Sequence, residues 1–346
     1  MACRSKLFQT NNEYEKINTL MKTLYIIGNG FDIHHKLDTR YQSFANYLAE
    51  NNSEVYDLLL HYYGLPDITN PELTDEEYAL WSRFEQALAD LDYVEVLENH
   101  SDLIARPGAE DFRDRDWHSY QIEMELIIED LTTTLINDFN SFILEVEYEN
   151  IPNDTLIELE NDSHFLNFNY TETLQKSYGI PEERITYIHN KANADNCNLI
   201  LGHGTDPANF EEKEEEPPQG LSEEEFYEWR EQKADEYDYS YESAKQEILS
   251  YYTKAFKNTV SIIENNIAFF ANLIEVEKVI VLGHSISEVD LKYFEVLKAK
   301  LNENVFWNVS YYSELEKQEH KQTLLQLGIN DNNIAQIKIT DLKRQL

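Results

Sequence analysis

The residues with most chemical potential in this sequence fall in five short runs: IIGNGFD, FNYT, YIHN, LGHG and LGHSISEVD. In the first, Gly28 and Gly30 flank Asn29, and Asp32 follows. Glycine admits positive φ and lets a backbone approach a phosphate closely, so this loop reads either as a pyrophosphate cradle or as plain tight-turn geometry. The full GxGxxG pattern is absent because position 33 is Ile. Asp32 could accept from a ribose hydroxyl or cap the local turn. His34 and His35 are adjacent and need not face one point, which weighs against a metal site there.

In the second run and just before it, Asn167, Asn169, Tyr170 and Thr171 sit where a strand should end. An amide side chain offers two donors and an acceptor, enough to orient a ribose hydroxyl or a water. The same groups could instead satisfy loose backbone at the strand end. His189 is the residue best suited to general-base work, since imidazole titrates near neutral pH. A lone histidine is usually structural, and His203 between two glycines reads as a neighbour of a backbone-forming loop. In the last run, Gly283 permits close approach and Ser285 offers a hydroxyl to a phosphate. Ser287 and Asp290 are spaced like a capping box, and a cap is the favoured reading for Asp290.

These runs need elements to position them. Apolar stretches predict strands at Leu24–Ile27, His164–Phe168, Ile185–Ile188, Leu199–Leu201, Val279–Leu282 and Val305–Tyr312, with a short strand near Ile337–Ile339. Thr39 with Gln42 predicts a capped helix after the first loop, and Ser222 with Glu225 and Ser313 with Glu316 predict two more. Strands alternating with helices imply an α/β fold: a doubly wound, mainly parallel sheet with helical insertions. Ligands of such sheets bind outside the carboxyl ends of the strands, so the runs should share one cleft. Residues 1–20 read as an extension or loose tail with Met21 as a candidate start. Residues 21–346 read as a single domain, carrying a helical insertion at about 51–160 and an acidic helical insertion at about 206–270.

Composition narrows the functional classes. A net charge of -38, from 66 acids against 28 bases, repels nucleic acid and anionic membranes over roughly 8 Å at physiological salt. Cys3 and Cys197 are too few for a disulfide framework or a four-thiolate zinc site, and no metal is expected. No apolar stretch reaches the roughly 20 residues that span a bilayer, so neither membrane nor nucleic acid is an expected partner and the cytoplasm is the expected compartment.

Taken together, IIGNGFD with TRYQSF, WSRFE, NFNYTETL, YIHN, LGHG and LGHSISEVDLKYF resemble the AbiH family of bacterial phage abortive-infection proteins, from Met21 to about Phe294. At a greater distance the order of motifs is similar to the SIR2-type NAD-binding fold. That resemblance implies NAD as substrate or ligand, with Gly28, Asn29, Gly30, Asp32, Tyr170, Gly283 and Ser285 around the nucleotide. It implies Asn169 and His189 as the catalytic pair of an NAD glycohydrolase that yields nicotinamide and ADP-ribose. The first loop reads GNGFD where sirtuins show GAGxS, and Asn190 stands where a glycine follows the histidine. With no four-cysteine module, deacetylation is disfavoured. The resemblance further implies a phage or defence-system protein as trigger and is compatible with a homo-oligomer. The alternative reading is a non-catalytic nucleotide sensor. A magnesium nuclease using Asp32 and Asp290 is weaker, for want of a compact carboxylate motif.

Overall fold

The structure, a computed structural model, describes residues 22–160, 162–212 and 215–343. The tail expected at residues 1–20 and the candidate start Met21 lie outside the described residues. Six strands form the sheet: β1 (Thr23–Ile27), β2 (Ser163–Asn167), β3 (Ile185–Tyr187), β4 (Lys278–Leu282), β5 (Phe306–Ser310) and β6 (Ile334–Ile337). All neighbours pair in parallel, in the order β3-β2-β1-β4-β5-β6. The central strands are near-continuous apolar runs because helices cover both faces of a parallel sheet. Alternate residues divide between two cores: Leu24, Ile26, Val279 and Val281 pack on one face, Tyr25, Ile27, Ile280 and Leu282 on the other. The strand order reverses between β1 and β4, whose ends pair Ile27 with Leu282. The crevice of an open α/β sheet lies at such a reversal.

A third core belongs to the helices. Phe44, Leu59, Trp81, Tyr120 and Phe139, inserted between β1 and β2, pack with Ala244, Ile248 and Tyr251, inserted between β3 and β4. The two insertions therefore share one apolar interior at the carboxyl end of the sheet. The acidic helix Glu223–Glu236 begins at the expected Ser222–Glu225 capping box and buries none of its residues. It stops at Tyr237, and Asp238 caps a new helix, Tyr239–Leu249, that does enter the shared core.

Three local expectations are corrected. Leu199–Leu201 is not a strand: Ile200 donates its N–H to His189 O and its carbonyl accepts from Tyr170 Oη, so the run is a strut beside the sheet. A short apolar run alone does not specify a ladder partner. Thr39 does not cap its helix; Arg40 holds that position without a side-chain bond, and the Thr39 hydroxyl donates to Asn29 Oδ1 at 2.5 Å. The last strand runs over Ile334–Ile337 rather than around Ile337–Ile339.

Candidate functional site

A cleft of about 1470 Å³ opens where β1 and β4 end. Every residue expected around a nucleotide lines it: Gly28, Asn29, Gly30, Asp32, Asn169, Tyr170, His189, Gly283 and Ser285. Lys36, Arg40, Arg83 and Lys338 bring positive charge to the lining, against Asp32, Asp38, Glu85, Asp290 and Glu316. The cleft is thus close to charge balance in a chain of net charge -38.

Much of this lining is already engaged in holding loops together. Gly28 N–H donates to Leu282 O, Gly30 N–H to Gly283 O, and Gly283 N–H to the Ser310 hydroxyl. The three amides first in line for a pyrophosphate are therefore taken, and the glycines serve close approach of two loops. A Cβ on Gly28 would stand 2.5 Å from the His284 Cα, and one on Gly283 2.1 Å from the Phe31 N. Asn29 Nδ2 donates to Thr39 O, completing a reciprocal pair with that residue. Asp32 is fully buried and accepts from the Thr171 and Thr173 hydroxyls, each at 2.6 Å. Burial pushes its carboxyl up to about 6, against the lowering effect of those hydrogen bonds. Asn169 Nδ2 donates to Gly28 O. Ser285 alone of the set presents an exposed side chain.

His189 is 2% exposed, its ring edge-on to Phe168. The ring bonds the Phe168 backbone, and its Nε2 lies 3.2 Å from the Tyr293 hydroxyl. Burial, then the nearby Lys257 charge and His284, hold the ring's pKa well below the usual 6.5. It is a neutral imidazole. Asn190 adopts φ +64, a left-handed conformation that asparagine tolerates and that explains how it replaces a glycine at this turn.

Beside His189 lies an ion cluster that the motifs did not announce. The Lys257 side chain is 0% exposed; its ammonium donates to Glu85 Oε2 at 2.6 Å and stands 3.0 Å from Asp290 Oδ1. Desolvation pulls this lysine down, and Asp290 and Glu85 more than offset it, holding its pKa above the ordinary value. Tyr41 donates to Glu85 Oε1 at 2.6 Å. Asp290 Oδ1 is 3.8 Å from His189 Nε2, and Oδ2 is 3.6 Å from His284 Nε2. His284 Nδ1 accepts from Ile286 N–H, so its proton faces Asp290, and burial drives its pKa down to about 3. Ile286 is held at φ +50, a costly conformation for a β-branched side chain, in the turn between His284 and Asp290.

Asp290 stands at the N-cap position of the helix Leu291–Lys300, but its side chain makes no cap bond and the expected capping box with Ser287 does not form. Ser287 makes no side-chain cap bond, and the carboxylate points into the cluster. His203 gains a function in its backbone: its N–H donates to Ala255 O and its carbonyl accepts from Lys257 N–H, which seats the lysine. Gly202 permits that pairing, since a Cβ there would lie 2.1 Å from Ala255 O. His34 and His35 bond separate carbonyls, Thr155 O and Phe31 O. Among the described residues no group of three or more His, Cys, Asp or Glu side chains is arranged to hold a metal ion, and no helix is long and apolar enough to cross a membrane. Sequence reading missed Lys257, His284, Tyr41 and Tyr293 as site residues. The LGHS and WSRFE runs carried a signal for His284 and Glu85, whereas Lys257 had none.

Sheet order and crevice define an α/β protein of the Rossmann-like class. Residues 24–311 match the model of a family described as bacteriophage abortive infection AbiH, and the chain belongs to that family. No curated protein and no solved structure matches it. Its family role is abortive infection in response to phage.

Proposed function

We propose that the cleft binds NAD and hydrolyses it to nicotinamide and ADP-ribose as the effector step of phage defence. What carries this reading is the convergence of Asn169, His189 and the two glycine loops on one cleft at the reversal of strand order. Neutral His189 takes a proton from water or a ribose hydroxyl, and Asn169, clamped to Gly28 O, orients the reacting groups. Because the amides of Gly28, Gly30 and Gly283 are engaged, phosphate recognition falls to Ser285 and to the rim cations Arg40, Lys36 and Lys338. Tyr312, 93% exposed at the rim, offers a flat face to a base.

Incubating purified protein with NAD and measuring nicotinamide tests the reading. Release is expected from the wild type and a loss of at least about 100-fold from Asn169→Ala and His189→Ala, the scale of a lost general base. A protein that binds NAD without turnover would favour the sensor reading. One observation speaks for that second reading: His189 Nε2 already has a hydrogen-bond partner in the Tyr293 hydroxyl.

A further inference from the structure

We propose that Asp290 is the catalytic carboxylate of this cleft, with Lys257 and Glu85 as its positioning residues. The proposal rests on the NAD-hydrolysis reading and deepens it. Asp290 lines the cleft with its side chain 13% exposed. Its Oδ1 stands 3.0 Å from the Lys257 ammonium and 3.8 Å from His189 Nε2, so the lysine fixes the carboxylate beside the imidazole. Asp290 is thus held by a fully enclosed lysine at the wall of the cleft, next to His189.

Its chemistry follows from charge. When the C1′–N bond of NAD breaks, the electron pair goes to the nicotinamide nitrogen and positive charge remains on C1′ and the ribose ring oxygen. A fixed anion facing that charge stabilises the transition state more than the ground state. Water then forms the new C1′–O bond and yields its proton to the His189 imidazole, which passes it to solvent. NAD and water thus give nicotinamide, ADP-ribose and one proton. The transient imidazolium would be buried beside Lys257, and Asp290, 3.8 Å away, is the anion that offsets both costs. Glu85 draws the ammonium to itself at 2.6 Å, so Lys257 anchors Asp290 without neutralising it completely.

Asp290→Asn keeps the shape and removes the charge. Nicotinamide release is expected to fall at least about 100-fold while the NAD dissociation constant, measured by calorimetry, stays within about threefold. Asp290→Glu should recover part of the rate, and Glu85→Gln should slow it by about tenfold with binding unchanged. Thermal melts check folding, and Asp290→Ser replaces the asparagine variant if that protein does not fold. Release by a folded Asp290→Asn protein within about threefold of wild type overturns the proposal alone, as does a loss of rate matched by an equal loss of NAD binding. A folded wild type that releases no nicotinamide overturns the hydrolysis reading and this proposal with it.

Discussion

Replacing Lys257 with methionine removes the one cation of the buried cluster and keeps the length of its stem. In the native protein the ammonium sits 2.6 Å from Glu85 and 3.0 Å from Asp290, with the two carboxylate side chains 19% and 13% exposed. Without it, two carboxylates face each other in a poorly solvated space between two neutral imidazoles. Breaking a buried pair by removing one partner costs about 3–5 kcal/mol, a large part of the 5–15 kcal/mol that holds a domain together. Urea unfolding at pH 7 should show that loss for Lys257→Met. Adding Glu85→Gln should restore roughly half of it, because one carboxylate fewer then needs a counter-charge. An unchanged midpoint for Lys257→Met, or a double variant no more stable than the single, would refute the account of the cluster.

Asp32 gives a linkage test. Its folded value of about 6 lies above the ordinary 3.8, so its contribution is full below 3.8 and lost as pH rises through 6. At pH 8 the ionised group costs about 3 kcal/mol relative to low pH, and Asp32→Asn should be more stable than wild type by up to that amount, with about half the difference gone by pH 5. Equal stability curves for the two proteins from pH 8 to pH 5 would contradict this. Gly202→Ala should cost about 2 kcal/mol or more in urea unfolding, because its Cβ must displace the Ala255 carbonyl that helps to seat Lys257. Nicotinamide release should hold steady from pH 8 down through 6.5, since His189 stays neutral there; a half-loss of rate near 6.5 that disappears in His189→Gln would contradict the depressed value.

The parts of the site readable from the sequence are those where local chemistry and position coincide. Gly28, Gly30 and Gly283 follow buried β-branched runs, and the same pattern that predicts the strands predicts their ends. The parallel, doubly wound sheet needed no more than alternation of strands and helices, though not the order of its strands, and the helix starts at Ser222 and Ser313 bond as their spacing implies. Local spacing misled at Asp290, where a cap and a buried ion partner look alike from Ser287 onwards. It misled at Thr39 too, whose hydroxyl found a stronger use in Asn29 across the cleft wall. The apolar run Leu199–Leu201 satisfies its backbone with Tyr170 and His189, partners that no periodicity reveals. Lys257 was invisible for a related reason: its place is set by a backbone pairing with His203, more than fifty positions earlier.

The shared ion cluster has a consequence for how the chain comes into being. Glu85 arrives with the first insertion, Lys257 with the second, and Asp290 only after β4. A nascent chain emerges from its N-terminus, so each partial product exposes a charge whose counterpart has not yet been synthesised. The cleft is completed only once all three segments have met, which makes its electrostatics an assembly check. For a protein of abortive infection, a fragment or misfolded copy is left without the charged centre of the intact molecule.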